Sequence, residues 1–72
     1  MHPVAKIIEI VGTSNVSIED AIQTGIARAA KTLDNLQWFQ VTEVRGAISG
    51  KAIDRYQVML KIGFGLDDDS ED

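Results

Sequence analysis

Trp38 is the single tryptophan of a 72-residue chain. It stands in the run Asn35-Leu36-Gln37-Trp38-Phe39-Gln40-Val41-Thr42-Glu43-Val44-Arg45-Gly46, which reads as a β-strand. Gln57 falls in a second strand of similar length and is expected near Trp38 across a hairpin. A large flat π-surface beside a carboxamide suits a planar heterocycle that makes hydrogen bonds. Arg45 shares the strand with Trp38. As a strand arginine its ordinary partner is a carboxylate, here Glu9 or the Glu43 of another subunit.

Other constellations carry less chemistry. Glu9 and Glu43 form a candidate paired-carboxylate active site or metal site, but nothing in the sequence around them supplies the raised pKa of a general acid. The Ser and Thr residues have no base to pair with, because the one histidine, His2, lies at the chain end. Without cysteine there is no disulfide and no thiolate metal site. Gly63 and Gly65 mimic a fragment of a phosphate-binding loop, yet they lie inside a strand pattern with no following helix. Lys6, Arg55 and Lys61 read as a solvated basic strip.

Size then limits what can hold these side chains. A chain of this length forms one domain and buries only about 60% of its unfolded surface. Disulfides and metal are unavailable as staples, so oligomerisation is expected, and as an obligate state. The net charge of −4 argues against nucleic acid as a partner. No apolar run reaches membrane-spanning length. The N-terminus lacks the basic and apolar regions of a signal peptide, and a cytoplasmic protein is expected.

The elements follow from periodicity. Val4 to Val11 is rich in β-branched residues and reads as the first strand, followed by the polar link Thr13-Ser14-Asn15-Val16. Ser17 is a good N-cap, with Asp20 completing a weak capping box. Ile18, Ile22, Ile26, Ala29 and Leu33 fall within an arc of about 80° at 100° per residue. The helix is therefore expected to end near Leu33. Gly25 within it costs about 1 kcal/mol and marks either a close backbone approach or drift.

Gln37 to Ile48 reads as the second strand, with Phe39, Val41 and Glu43 on one face and Trp38, Gln40, Thr42 and Val44 on the other. Neither face is cleanly apolar, and Gly46 marks a candidate bulge. Ser49-Gly50-Lys51 supplies a hairpin turn. In the third strand, Ile53 to Leu66, the residues Tyr56, Val58, Leu60, Ile62, Phe64 and Leu66 alternate with Arg55, Gln57, Met59, Lys61, Gly63 and Gly65 and should face the helix. The domain spans 1–66, and the acidic tail 67–72 has nothing to bury and is expected to be disordered. The fold class is α+β in the order β-α-β-β. An all-antiparallel sheet requires the third strand to lie between the other two.

Three blocks in order, Lys6 to Ser14, Asn35 to Phe39 with Glu43 to Gly46, and Tyr56 to Val58 with Lys61 to Phe64, closely resemble the dodecins, small flavin-binding proteins. The resemblance runs from about Val4 to Leu66. It implies a three-stranded antiparallel sheet wrapped around one helix, and twelve copies assembled into a hollow sphere. It implies flavins bound in pairs at two-fold contacts, each stacked on Trp38. A hydrogen bond from Gln57 to the polar edge of the ring is implied, and contact between Arg45 and the phosphate of FMN. Relatives also imply coenzyme A as a second ligand. One departure stands out: bacterial members often end the last strand in Gly-Phe-Arg-Leu, where this chain has Gly63-Phe64-Gly65-Leu66, so a cation near the subunit junctions is missing.

The leading reading is thus a non-enzymatic homododecamer that stores and buffers FMN or riboflavin and quenches its photochemistry. A structural homo-oligomer without cofactor is one alternative, with Trp38 serving only in packing. An FMN-dependent enzyme is the other. A flavin sandwiched on both faces leaves that enzyme little room for substrate.

Overall fold

A computed structural model describes residues 4–66. The acidic tail and His2 lie outside the described residues. Four elements follow in chain order: β1 (Ala5–Ser14), α1 (Ile18–Ala29), β2 (Leu36–Ser49) and β3 (Ala52–Gly65). The strands form one antiparallel sheet in the order β1-β3-β2, with β3 central as the sequence required.

β3 carries the core. Val58, Leu60, Ile62 and Phe64 are buried on the helix side, as their alternation predicts. The intervening Gln57, Met59, Lys61, Gly63 and Gly65 face the other way. This second face is called the outer face below.

α1 begins as expected. Ser17 Oγ accepts from Asp20 N at 2.9 Å. Ser14 reinforces this end: its hydroxyl donates to Asp20 Oδ2 at 2.6 Å and accepts from Val16 N at 2.9 Å. β1 therefore does not stop at Val11 but runs three residues further, to the side chain that anchors the helix start. The helix ends earlier than its apolar arc suggests. After Ala29 the chain tightens, with Lys31 N and Thr32 N bonded to the carbonyls of Arg28 and Ala29. Leu33 still packs against the core, although it lies beyond the helix.

The contact face of α1 is built from small residues. Ala21, Gly25 and Ala29 are its buried positions, while Ile22 and Ile26 are half-buried and Ile18 is exposed. Gly25 is a close-approach residue: a Cβ there would stand 3.5 Å from Gly12 Cα. A Cβ on Gly12 would overlap the Ala21 carbonyl oxygen. The helix thus lies almost directly on β1, and it packs on β1 and β3.

Dimensions explain what stays uncovered. A 12-residue helix is about 18 Å long, whereas the 14-residue strands reach about 46 Å. The molecule measures 57 × 20 × 13 Å. On the helix side of β2, Phe39, Val41 and Val44 remain 38–49% exposed. At the hairpin end Ile48 and Ile53 are exposed further, around a turn made by Gly50 at φ 64°.

Candidate functional site

The register of β2 against β3 sets which side chains share the outer face. Trp38 pairs with Gly63, Gln40 with Lys61 and Val41 with Leu60. The register then slips: Val41 opposes Leu60 but Glu43 opposes Met59. Thr42 is the extra residue, a β-bulge. Its hydroxyl donates to the Met59 carbonyl at 3.1 Å. Beyond the bulge the parity is reversed. Val44 pairs with Val58 on the helix side, and Arg45 pairs with Gln57 on the outer face.

Two expectations are corrected by this register. Register shifts fall at Leu36/Trp38, at Thr42 and at Ala47/Ile48 and not at Gly46, and the one at Thr42 takes Val44 off the face of Trp38 and brings Glu43 and Arg45 onto it. Gln57 is also not the neighbour of Trp38 within one chain. It lies six residues along β3 from Gly63, about 20 Å at roughly 3.3 Å per residue. The hairpin turn fixes the pairing and leaves no freedom for a shorter distance.

The local geometry at Trp38 was not expected from sequence. A Cβ on Gly63 would overlap indole atoms Cε2 and Cζ2. The ring therefore occupies the place a side chain would take, seated over the β3 backbone. Trp38 is nonetheless 43% exposed. The sequence signal for this seat is a glycine opposite a tryptophan in an otherwise well-formed strand, a mark of close approach. A second seat adjoins it: a Cβ on Gly65 would overlap the Asn35 amide nitrogen and stand 2.8 Å from Gln37 Nε2. Asn35 adopts φ 62°, a left-handed conformation that asparagine tolerates.

At the far end of the same face, Arg45 Nε donates to Gln57 Oε1 at 3.2 Å. Within the chain Arg45 thus engages the carboxamide and not Glu9 or Glu43. Those carboxylates lie on opposite sides of β3, across from Lys61 and Met59, which separates their strands by about 10 Å. The expected basic strip is broken up as well. Arg55 pairs with its neighbour Asp54 at 2.8 Å, and Lys6 and Lys61 fall on opposite faces of the sheet. Among the described residues no cluster of three metal-ligating side chains occurs.

A shallow apolar groove lined by Ile26, Leu36, Gln37, Trp38, Phe39 and Ile62 opens beside the start of β2. It gathers no convergent charged or hydroxyl groups. The chemistry lies instead on the outer face, split into an aromatic end and an amide-guanidinium end.

The fold and this divided face describe a small β-α-β-β module with its candidate groups at two ends of one sheet face, and comparison with known proteins gives it a family. The chain belongs to the dodecin family, whose model matches residues 4–67. It is 48% identical over 68 residues to a dodecin of Thermus thermophilus, covering 94% of this chain and 99% of the relative. Crystal structures of W38F and R45A mutants of T. thermophilus dodecin superpose with TM-scores of 0.90 at 46% identity, covering 93% of this chain and 100% of theirs. A dodecin from Streptomyces davaonensis is 44% identical with a TM-score of 0.90, covering 94% of this chain and 100% of its own. A calcium dodecin from Mycobacterium tuberculosis is 30% identical with a TM-score of 0.77, covering 96% and 97%. Flavin binding and assembly as a dodecamer are known for the family in general.

Proposed function

We propose that this protein is a non-enzymatic flavin-binding oligomer that holds FMN or riboflavin stacked on Trp38 where two copies meet. The observation that carries this is the indole seated on Gly63, fixed in place yet 43% exposed. A ring held this way can bury its area against a second flat ring, with about 0.5–1.5 kcal/mol of stacking preference added. Gln57 supplies the polar contact to the heterocycle edge. Because it lies about 20 Å from Trp38 in the same chain, the Gln57 that meets a stacked flavin belongs to another copy. A two-fold contact brings two indoles and two flavins together and removes water from the ligand.

Arg45 supplies the contact to the phosphate of FMN. The role that follows is storage and buffering of flavin in the cytoplasm, with quenching of its excited state through close contact with the indole. Coenzyme A is a second ligand by family likeness. The space over Gly65 holds the amides of Asn35 and Gln37 and no cation, which makes its phosphates harder to hold here.

Titration of riboflavin, followed by its fluorescence, tests the reading. The protein should quench bound riboflavin strongly. Trp38→Ala should lose most of the quenching and bind at least about tenfold more weakly. Gln57→Ala should bind more weakly while the assembly keeps its mass. Unquenched riboflavin, or equal affinity in wild type and Trp38→Ala, contradicts it.

A further inference from the structure

We infer that Arg45 is a positioning residue for Gln57: its Nε–H holds the carboxamide oxygen, which fixes the end of Gln57 that faces the ligand, while its remaining donors stay free for an anion. This inference rests on the flavin-binding reading and deepens it. Three observations carry it.

Arg45 and Gln57 are direct register partners on the outer face, so their proximity is set by the backbone. The Thr42 bulge creates that pairing; without it Arg45 would point to the helix side. The contact is Nε to Oε1 at 3.2 Å.

The chemistry then permits one orientation only. A guanidinium has donors and no acceptor, so it can meet only the oxygen of a carboxamide. With Oε1 held, the Nε2 donors of Gln57 are turned away from Arg45, and among the described residues no hydrogen bond occupies them. A free glutamine would rotate between two amide orientations and would lose that freedom on binding. Holding it beforehand removes part of the cost of ordering the side chain. The heterocycle atom favoured by a fixed Nε2 is an acceptor, a ring nitrogen or carbonyl oxygen.

One of the five guanidinium N–H donors is used in this way, and four remain. A single side chain can therefore orient the group that reads the ring edge and also meet a phosphate. Ring recognition and phosphate recognition become coupled through Arg45.

A double-mutant cycle read with riboflavin, which has no phosphate, isolates the positioning role. The cycle uses Arg45→Met, which keeps the aliphatic stem, together with Gln57→Ala and the double variant. Native mass confirms the same assembly in each, and Arg45→Ala serves as a second variant if Arg45→Met fails to assemble. Arg45→Met should weaken riboflavin about three- to tenfold, the size of one hydrogen bond. In the Gln57→Ala background the same change should have no effect. Unchanged riboflavin affinity in Arg45→Met, or an equal loss in both backgrounds, overturns the positioning role while leaving flavin binding intact. Wild-type protein that binds no riboflavin overturns both readings.

Discussion

Gly63 shows how a residue without a side chain shapes the face proposed to hold flavin. Its missing Cβ is the space the Trp38 ring occupies. Gly63→Ala should push the indole out of its seat, weaken riboflavin about tenfold and reduce the quenching of what still binds. The assembly should keep its mass, since the apolar strip of β2 on the helix side is untouched. Full quenching in Gly63→Ala would show that the seat is not needed. Arg45 adds a second prediction at this scale. If its free donors meet phosphate, Arg45→Met should weaken FMN by a larger factor than riboflavin in parallel titrations, and the FMN loss should shrink as salt is raised. Equal losses for both ligands remove the phosphate contact. The chemical types at Trp38, Gln57 and Arg45 were legible in the sequence. Their distances were not, because a two-residue slip in register moves a side chain by several ångströms without altering composition.

Among the elements, β3 was the most legible and β2 the least. The reason is where the register shifts fall. β3 is central, covered by the helix on one face, and alternates without interruption through its buried stretch, so its period of two survives. In β2 the Thr42 bulge splits two runs of opposite parity. Phe39, Val41 and Val44 form one apolar strip only once Thr42 is removed from the count, and Gln40, Glu43 and Arg45 then form the polar one. A strand that looked mixed on both faces thus alternates from Trp38 to Val41 and again from Glu43 to Ala47, with further register shifts at Leu36/Trp38 and Ala47/Ile48. The helix was misjudged differently. Large apolar residues dominated its pattern, yet the closest packing belongs to Ala21 and Gly25 against Gly12. This contrast is testable by thermal unfolding at fixed protein concentration. Gly12→Ala meets a backbone carbonyl that cannot yield and should cost about 1–3 kcal/mol. Gly25→Ala meets chiefly the end of the Ile10 side chain at 3.3 Å. It also gains about 1 kcal/mol of helix propensity, so it should be close to neutral. Equal melting losses for the two would mean that the helix does not rest on Gly12.

Over the described residues the molecule is elongated, and α1 covers only part of one face. The apolar strip of β2 and the hairpin end stay open in one chain, the kind of exposed apolar surface that marks a contact site. The same geometry divides the proposed site, with Trp38 at one end of the sheet and Gln57 at the other. The expectation of partners came from length and the lack of cysteine, and it agrees with the dodecamer known for the family. The division of the site was not, because it depends on how far apart two residues fall on one strand. A charge introduced into the strip, Val44→Asp, should release single chains in sedimentation and abolish riboflavin quenching together with assembly. Quenching retained by single chains would mean that one copy holds the ligand alone.

Native mass spectrometry of the purified protein with added riboflavin addresses the central claim, a flavin stacked on Trp38 at the contact between copies. The account predicts a multimer that carries bound flavin, with the flavin lost from the Trp38→Ala multimer of the same mass. Single chains with flavin attached, or multimers that take up as much flavin without the indole as with it, would contradict it.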